Sequence, residues 1–179
     1  FEDNFFDAIV SHDTIEHVRS VKETLKECKR ILKEGGVAYL VFPSFKLPLG
    51  GAHISSVTKT PMLEWFFSPT TINKAYLEIV SEWGDDMSWY LPKKETEEGW
   101  AVVRGGIGVN GTLYKDFMKI IDEVGFKEVN YVKIPLLSVS NTAMKYPFLG
   151  MLTITLKPLL SIDFFKDYLS QRLVFILKK

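Results

Sequence analysis

The chain has 179 residues, 46% of them hydrophobic, and its 22 Lys+Arg balance 22 Asp+Glu to a formal net charge of zero. This excludes a wholly disordered chain and a bulk basic surface for nucleic acid or anionic membrane, while allowing one domain with a sizeable core. The single cysteine, Cys28, excludes an internal disulfide and fits a reducing, cytoplasmic setting.

The chain opens on Phe5-Phe6-Asp7-Ala8-Ile9-Val10, a short continuous apolar run that predicts a strand over 5–11, buried on both faces as in a parallel sheet. Ser20 and Glu23 then form a capping-box pattern. Val21, Leu25, Cys28, Ile31 and Leu32 make one apolar helical stripe, and Gly35-Gly36 predicts the helix exit. "VAYLVFP" (37–43) reads as a second buried strand closed by Pro43. Residues 5–43 are thus β-α-β, a unit that is almost always parallel and right-handed. No apolar run reaches the length of a membrane span, and no signal-peptide pattern opens the chain.

Residues 44–110 differ in character. A helix is predicted over 68–84, with Ser68 as N-cap, Pro69 at its first position, and Ile72, Tyr76, Ile79, Val80 and Trp83 on one face. The rest is rich in glycine, acids and turns, yet it holds all four tryptophans, Trp65, Trp83, Trp89 and Trp100. Regular structure returns with a helix capped by Thr112, carrying Leu113, Phe117, Ile120, Ile121 and Val124 inward and closed by Gly125. A strand follows over 126–134, then an irregular apolar stretch over 136–160 with a helix around 138–146. A short helix over 161–170 and a final buried strand over 171–179 complete an α/β sheet protein. The first strand has the character of a central strand, yet no neighbour for its other edge precedes it. An unpaired apolar edge is an aggregation hazard. The reading therefore expects further N-terminal strands, or a partner chain that supplies them.

Six residues after the first strand hold His12, Asp13, Glu16 and His17. The two histidines are five apart, which on a helix leaves them about 140° out of alignment, so the i, i+4 pattern of a zinc helix is not met. No metal site is expected. In open α/β sheets, ligands bind beyond the carboxyl ends of the strands. Ser11 to Thr14, Ser44 and the loop Gly50-Gly51-Ala52-His53 fall on that edge, so the rim is read as a binding site. The aromatic insert 44–110 is read both as a small satellite core and as a lid, with Trp65, Trp89 and Trp100 toward the substrate. Cys28 lies in the apolar stripe and reads as core, and no nucleophile elbow, dinucleotide or P-loop pattern occurs.

The stretch from Phe1 to Ser44 resembles the second half of a class I S-adenosylmethionine-dependent methyltransferase of the type 11-like kind. The matching residues are Phe6-Asp7, Glu16-His17-Val18, Arg30-Ile31-Leu32-Lys33 with Gly35-Gly36, and Pro43. "LYKDFMKIIDEVGFKEV" resembles the family's later helix and sixth strand, and "RLVFILKK" its antiparallel seventh strand. The resemblance implies an incomplete Rossmann-like sheet, with strands 4-5-7-6 of the family, forming a single partial domain over 1–179 with the 44–110 insert after strand 5.

The resemblance also implies S-adenosylmethionine as cofactor and methyl transfer to O or N of a small-molecule acceptor. Ser11, His12, Asp13 and Thr14 would line the cofactor's methionine end and the methyl-acceptor pocket, and Glu16 and His17, at the start of the following helix, would have an orienting role. His12 and His53 are the candidate bases, neutral histidine being suited to that task near pH 7. The family's glycine-rich turn and ribose-binding acid do not occur in this sequence, so the chain as given is expected to be inactive by itself. The alternative readings are a non-catalytic methyltransferase-like module and a homodimer paired through the exposed first strand. No nucleic-acid or membrane partner is expected.

Overall fold

A computed structural model describes residues 1–47, 58, 60, 62–82, 109–135, 151 and 155–179. Its described elements are β1 (Phe6–His12), a 3-10 turn (Ile15–His17), α1 (Val21–Ile31), β2 (Leu32–Phe42), α2 (Leu63–Phe66) and α3 (Pro69–Ser81). Then come α4 (Tyr114–Val124), β3 (Glu128–Pro135), a 3-10 turn (Lys157–Ser161), α5 (Asp163–Leu169) and β4 (Ser170–Lys178). The four strands form one sheet in the order β1-β2-β4-β3. β1 and β2 are parallel, and β4 runs antiparallel to both β2 and β3. Translated into the family's strand numbers, this is the expected 4-5-7-6 order. The directions place the ends of β1, β2 and β3 and the start of β4 along one edge.

Local chemistry explains most element boundaries. The Ser20 hydroxyl accepts the Glu23 amide at 3.3 Å and starts α1, as the capping pattern predicts. The Glu23 carboxylate accepts from Lys26 Nζ at 2.8 Å. Ser68 likewise accepts the Thr71 amide, at 3.2 Å, and Ile72 and Tyr76 of α3 are fully buried. Gly125 ends α4 in the left-handed conformation, with φ 77°.

Three expectations are corrected. First, Gly35-Gly36 does not close α1. Leu32 is already extended and opens β2, and the register with β1 jumps from Phe6↔Leu32 to Ala8↔Val37. The glycines therefore sit in a bulge inside the strand. Gly35 takes φ +76°, and a Cβ on Gly36 would stand 2.8 Å from the Lys33 carbonyl and 3.1 Å from that of Asp7. Second, Thr112 does not cap α4. Its hydroxyl donates to Asn110 Oδ1 at 2.6 Å, and the Tyr114 amide at the helix start donates to Asp167 Oδ1 at 2.7 Å. A side chain 53 residues away thus caps this helix.

Third, β1 is not buried on both faces. It pairs only with β2 among the described residues, and Val10 is 74% exposed. The opposite face carries the core. Ile9, Ala38, Leu40, Leu173, Phe175 and Leu177 pack with Leu25 of α1 and Phe117 and Ile121 of α4. Phe175 stands 4.7 Å from Phe117 and 5.3 Å from Tyr131 between ring centres, which gives this layer its aromatic centre. The predicted helix around 138–146 lies outside the described residues. Of the 44–110 insert, only 44–47, 58, 60, 62–82 and 109–110 are described.

Candidate active site at the strand-end rim

The rim is built from the turn after β1. Successive strand residues alternate between faces. Ser11, two residues from Ile9, shares the core face, and its Oγ is buried with no hydrogen-bond partner. His12 lies on the open face, in register with Val41, and its side chain is 65% exposed. Asp13 then turns sharply, with φ 48° in the left-handed region, while its amide donates to the Val41 carbonyl at 2.8 Å. Asp tolerates this region better than most residues, because its short polar side chain can bond locally. The bond to Val41 keeps the turn tied to β2 after regular pairing has ended.

Arg172 reaches this turn from the first residues of β4. Its Nε lies 3.2 Å from Asp13 Oδ1, and its Nη2 donates to Asp13 Oδ2 at 3.3 Å. The pair spans the end of β2, because Arg172 lies just before Leu173, the register partner of Phe42. His12 Nδ1 lies 3.3 Å from the same Asp13 Oδ2. Thr14 Oγ1 turns back to donate to the His12 carbonyl at 3.0 Å. Arginine, aspartate and histidine thus form a continuous chain along the rim.

The 3-10 turn that follows is clamped by Asn110. Its Nδ2 donates to the carbonyls of Ile15 and Val18 at 2.7 and 3.0 Å, and its amide to the Glu16 carbonyl at 2.6 Å. Glu16 is buried, and its Oε2 has no hydrogen-bond partner. Burial pushes the Glu16 carboxyl up; the charge of Asp13 adds to this, while His17 and Arg172 oppose it. His17 Nε2 is 3.8 Å from Glu16 Oε1, too long for a hydrogen bond.

The end of β2 carries a second polar knot. The buried Ser44 hydroxyl donates to Asp167 Oδ1 at 2.6 Å, the same oxygen that caps α4. Next to Asp167 on α5, the Lys166 ammonium donates to Tyr114 Oη at 2.7 Å and to Asp163 Oδ1 at 2.6 Å. Beyond Ser44, Lys46 Nζ donates to the Glu64 carbonyl, and the Trp65 indole donates to the Lys46 carbonyl at 2.8 Å. Both Glu64 carboxylate oxygens are buried and unpartnered, and burial pushes this carboxyl up as well.

Of the expected site residues, the structure joins His12 and Asp13 and leaves Ser11 on the opposite face. It commits the Thr14 hydroxyl to the turn itself. Trp65 is tied to Lys46 and stands edge-on to Tyr168 at 5.3 Å. His53, Trp89 and Trp100 lie outside the described residues. Arg172, Asn110 and Asp167 were missed in the sequence, because each acts across more than 50 residues of chain and no local spacing marks it. Among the described residues, no group of three or more His, Cys, Asp or Glu could hold a metal ion. None of the described helices is long and apolar enough to cross a membrane.

Residues 1–40 match the family model described as "Methyltransferase domain". No curated protein matches. The solved structures that resemble the chain include an S-adenosylmethionine-dependent methyltransferase from Mesorhizobium loti, at 10% identity and TM-score 0.47, covering 100% of this chain and 64% of that one. Another is phosphoethanolamine N-methyltransferase 2 of Haemonchus contortus in complex with S-adenosyl-L-methionine, at 15% identity and TM-score 0.46, covering 100% of this chain and 34% of that one. A third is a SAM-dependent methyltransferase from Archaeoglobus fulgidus, at 14% identity and TM-score 0.41, covering 100% and 62%. The chain thus spans less than two thirds of each of these proteins. The strand order and the match over residues 1–40 both agree with a class I methyltransferase-like fold.

Proposed function

We propose that the protein of which this chain forms part transfers a methyl group from S-adenosylmethionine to O or N of a small-molecule acceptor. The observation that carries this reading is the methyltransferase-domain match over residues 1–40, because those residues form β1, the rim turn, α1 and most of β2. The residues present fit one side of such a cofactor site. The Ser11 hydroxyl is buried without a partner and His12 is exposed at the strand end. The glycine-rich turn and the ribose-holding acid are not in this sequence.

When bound, S-adenosylmethionine supplies an electrophilic methyl group. The chain's own part is to place the acceptor at the rim and accept its proton on His12, with His53 as the second candidate base. Trp65 and the other tryptophans of the insert would cover the acceptor and exclude water. Calorimetric titration of the native protein with S-adenosylhomocysteine tests the cofactor, and turnover by His12→Ala and His53→Ala tests the bases. Saturable binding with a loss of roughly 100-fold or more in rate for one of the two variants is the expected result. Absence of binding by the native protein would sink the reading.

A second reading rests on the exposed β1 edge. That strand pairs with β2 alone among the described residues and presents Val10 to solvent, so it could pair with the same strand of a second copy. Light scattering during size-exclusion chromatography separates a dimer from a monomer.

A further inference from the structure

We infer that Asp13 and Arg172 are positioning residues that hold His12 as the Nδ1–H tautomer, leaving its Nε2 lone pair free at the rim. The inference rests on the function proposed above only for the source of the proton that Nε2 would take. The tautomer itself rests on the placement of the Asp13 carboxylate beside Nδ1.

A neutral imidazole carries one N–H and one lone pair, and the hydrogen bond made by one nitrogen decides the role of the other. His12 Nδ1 lies 3.3 Å from Asp13 Oδ2, a charge contact rather than an aligned hydrogen bond, and close enough for the carboxylate to bias where the imidazole proton sits. An ionised carboxylate can only accept, so this neighbour favours the proton on Nδ1. Asp13 is itself held in three ways. Its backbone turns through the left-handed region, its amide is bonded to Val41, and its carboxylate is gripped by Arg172 Nε and Nη2 at 3.2 and 3.3 Å. One hydrogen bond from Nη2 and the nearby charge at Nε hold the carboxylate beside the guanidinium. Arg172 is anchored in turn, since its Nη1 donates to the Gln171 carbonyl at 3.3 Å. The remaining acceptor, Asp13 Oδ1, is buried and faces Arg172 Nε without a well-aligned hydrogen bond.

The arrangement accounts for the left-handed backbone at a non-glycine residue. Such a conformation persists where its surroundings over-determine it, and it clusters at functional sites. An extended Asp13 would continue the alternation of β1 onto the core face, beside Ser11. The turn brings the carboxylate back toward His12 and Arg172. In the proposed reaction, the acceptor's X–H bond would break with its electron pair left on X for the new X–CH3 bond, the proton would go to His12 Nε2, and the methyl's former bond to sulfur would break with its pair on sulfur, leaving S-adenosylhomocysteine. Nδ1 keeps its proton throughout, with Asp13 Oδ2 opposite it.

Long-range 1H–15N correlation on the labelled chain tests this without cofactor or acceptor. His12 is assigned by its disappearance in His12→Gln, and spectra are taken near pH 8, where free imidazole is largely neutral. The wild-type chain should show Nδ1–H as the major His12 tautomer. Asp13→Ala should shift the balance toward Nε2–H, and Arg172→Gln should do the same to a smaller extent. A major Nε2–H tautomer in the wild-type chain overturns the inference, whether or not any variant folds. An unchanged balance in a folded Asp13→Ala, verified by circular dichroism, overturns it as well. An unchanged balance in Arg172→Gln removes Arg172 from it. If the native protein bound no S-adenosylhomocysteine but His12 kept its Nδ1 proton, the function would fail and the positioning would stand.

Discussion

The two edges of the sheet handle charge in opposite ways. At the edge where β1 and β2 begin, ions meet in water. Lys33 Nζ lies 2.8 Å from Asp7, Lys127 Nζ lies 2.8 Å from Glu34, and Arg30 pairs with Asp3 and Glu27. These pairs are solvated, and such pairs contribute little to stability. At the other edge, Asp167, Ser44, Glu16 and Glu64 are buried. Polar groups there either have a partner at 2.6–2.7 Å, as Asp167 Oδ1 does, or have none, as with Glu64. Polar atoms left unpaired in a native interior need a specific explanation. The difference teaches that ions at the first edge keep their solvation, while the second, where the candidate site lies, holds polar groups at a desolvation cost.

The largest expected effect breaks the rim. Asp167→Ala leaves the Ser44 hydroxyl and the Tyr114 amide without their acceptor. At roughly 1–3 kcal/mol for each buried group left unsatisfied, the loss should be about 2–6 kcal/mol, read as a fall in the urea midpoint. A smaller effect lies at the opposite edge. Gly36→Ala places a Cβ 2.8 Å from the Lys33 carbonyl, a backbone atom that cannot swing aside. A loss of roughly 1–3 kcal/mol is expected in the same measurement, as for other forced overpacking.

The pH dependence should separate the edges by sign. Burial raises the carboxyls of Glu16, Glu64 and Asp167. In that window the native state holds protons that the unfolded chain has released. Stability from this edge therefore falls as pH climbs from the ordinary carboxylate value, about 4, through the raised ones. The hydrogen bonds from Lys33, Arg30 and Lys127 lower Asp7, Glu27 and Glu34. Stability from that edge is present above the ordinary value and is lost as pH falls through the lowered ones. Urea midpoints across this range should show the upper limb flattened in a Glu16→Gln, Glu64→Gln, Asp167→Asn triple variant and the lower limb unchanged. A triple variant with the wild-type upper limb would contradict the assignment. The smallest effect is Lys33→Ala, which should lower the midpoint at neutral pH only slightly, because the pair is exposed, and flatten the acid limb by the same small amount.

Much of this architecture was legible in the sequence, for reasons local to each element. Ser20 and Ser68 mark two helix starts, because an N-cap hydroxyl serves an amide three residues on. Gly125 marks a helix end because only a residue tolerant of positive φ closes it cheaply. Gly35-Gly36 carries the same composition, but there it relieves crowding between β1 and β2, which no local pattern reveals. Likewise, the alternation in β1 does not say which face is covered. Ile9 is packed and Val10 is exposed because α1 and α4 lie on one side only.

The candidate site divides along the same line. Its position at the strand ends and the presence of His12 and Asp13 follow from the run of residues 5–13, because a buried strand must hand over to a polar turn. Their alignment does not, since it depends on Arg172, which is 159 residues away in sequence. What the sequence determined by itself was the set of short-range choices: which segments coil, which extend and where caps and turns fall, all governed by bonds spanning a few residues. What only the tertiary structure decided was which polar groups are sealed from water and which side chains hold them, because burial and long-range pairing exist only once the strands have chosen their neighbours.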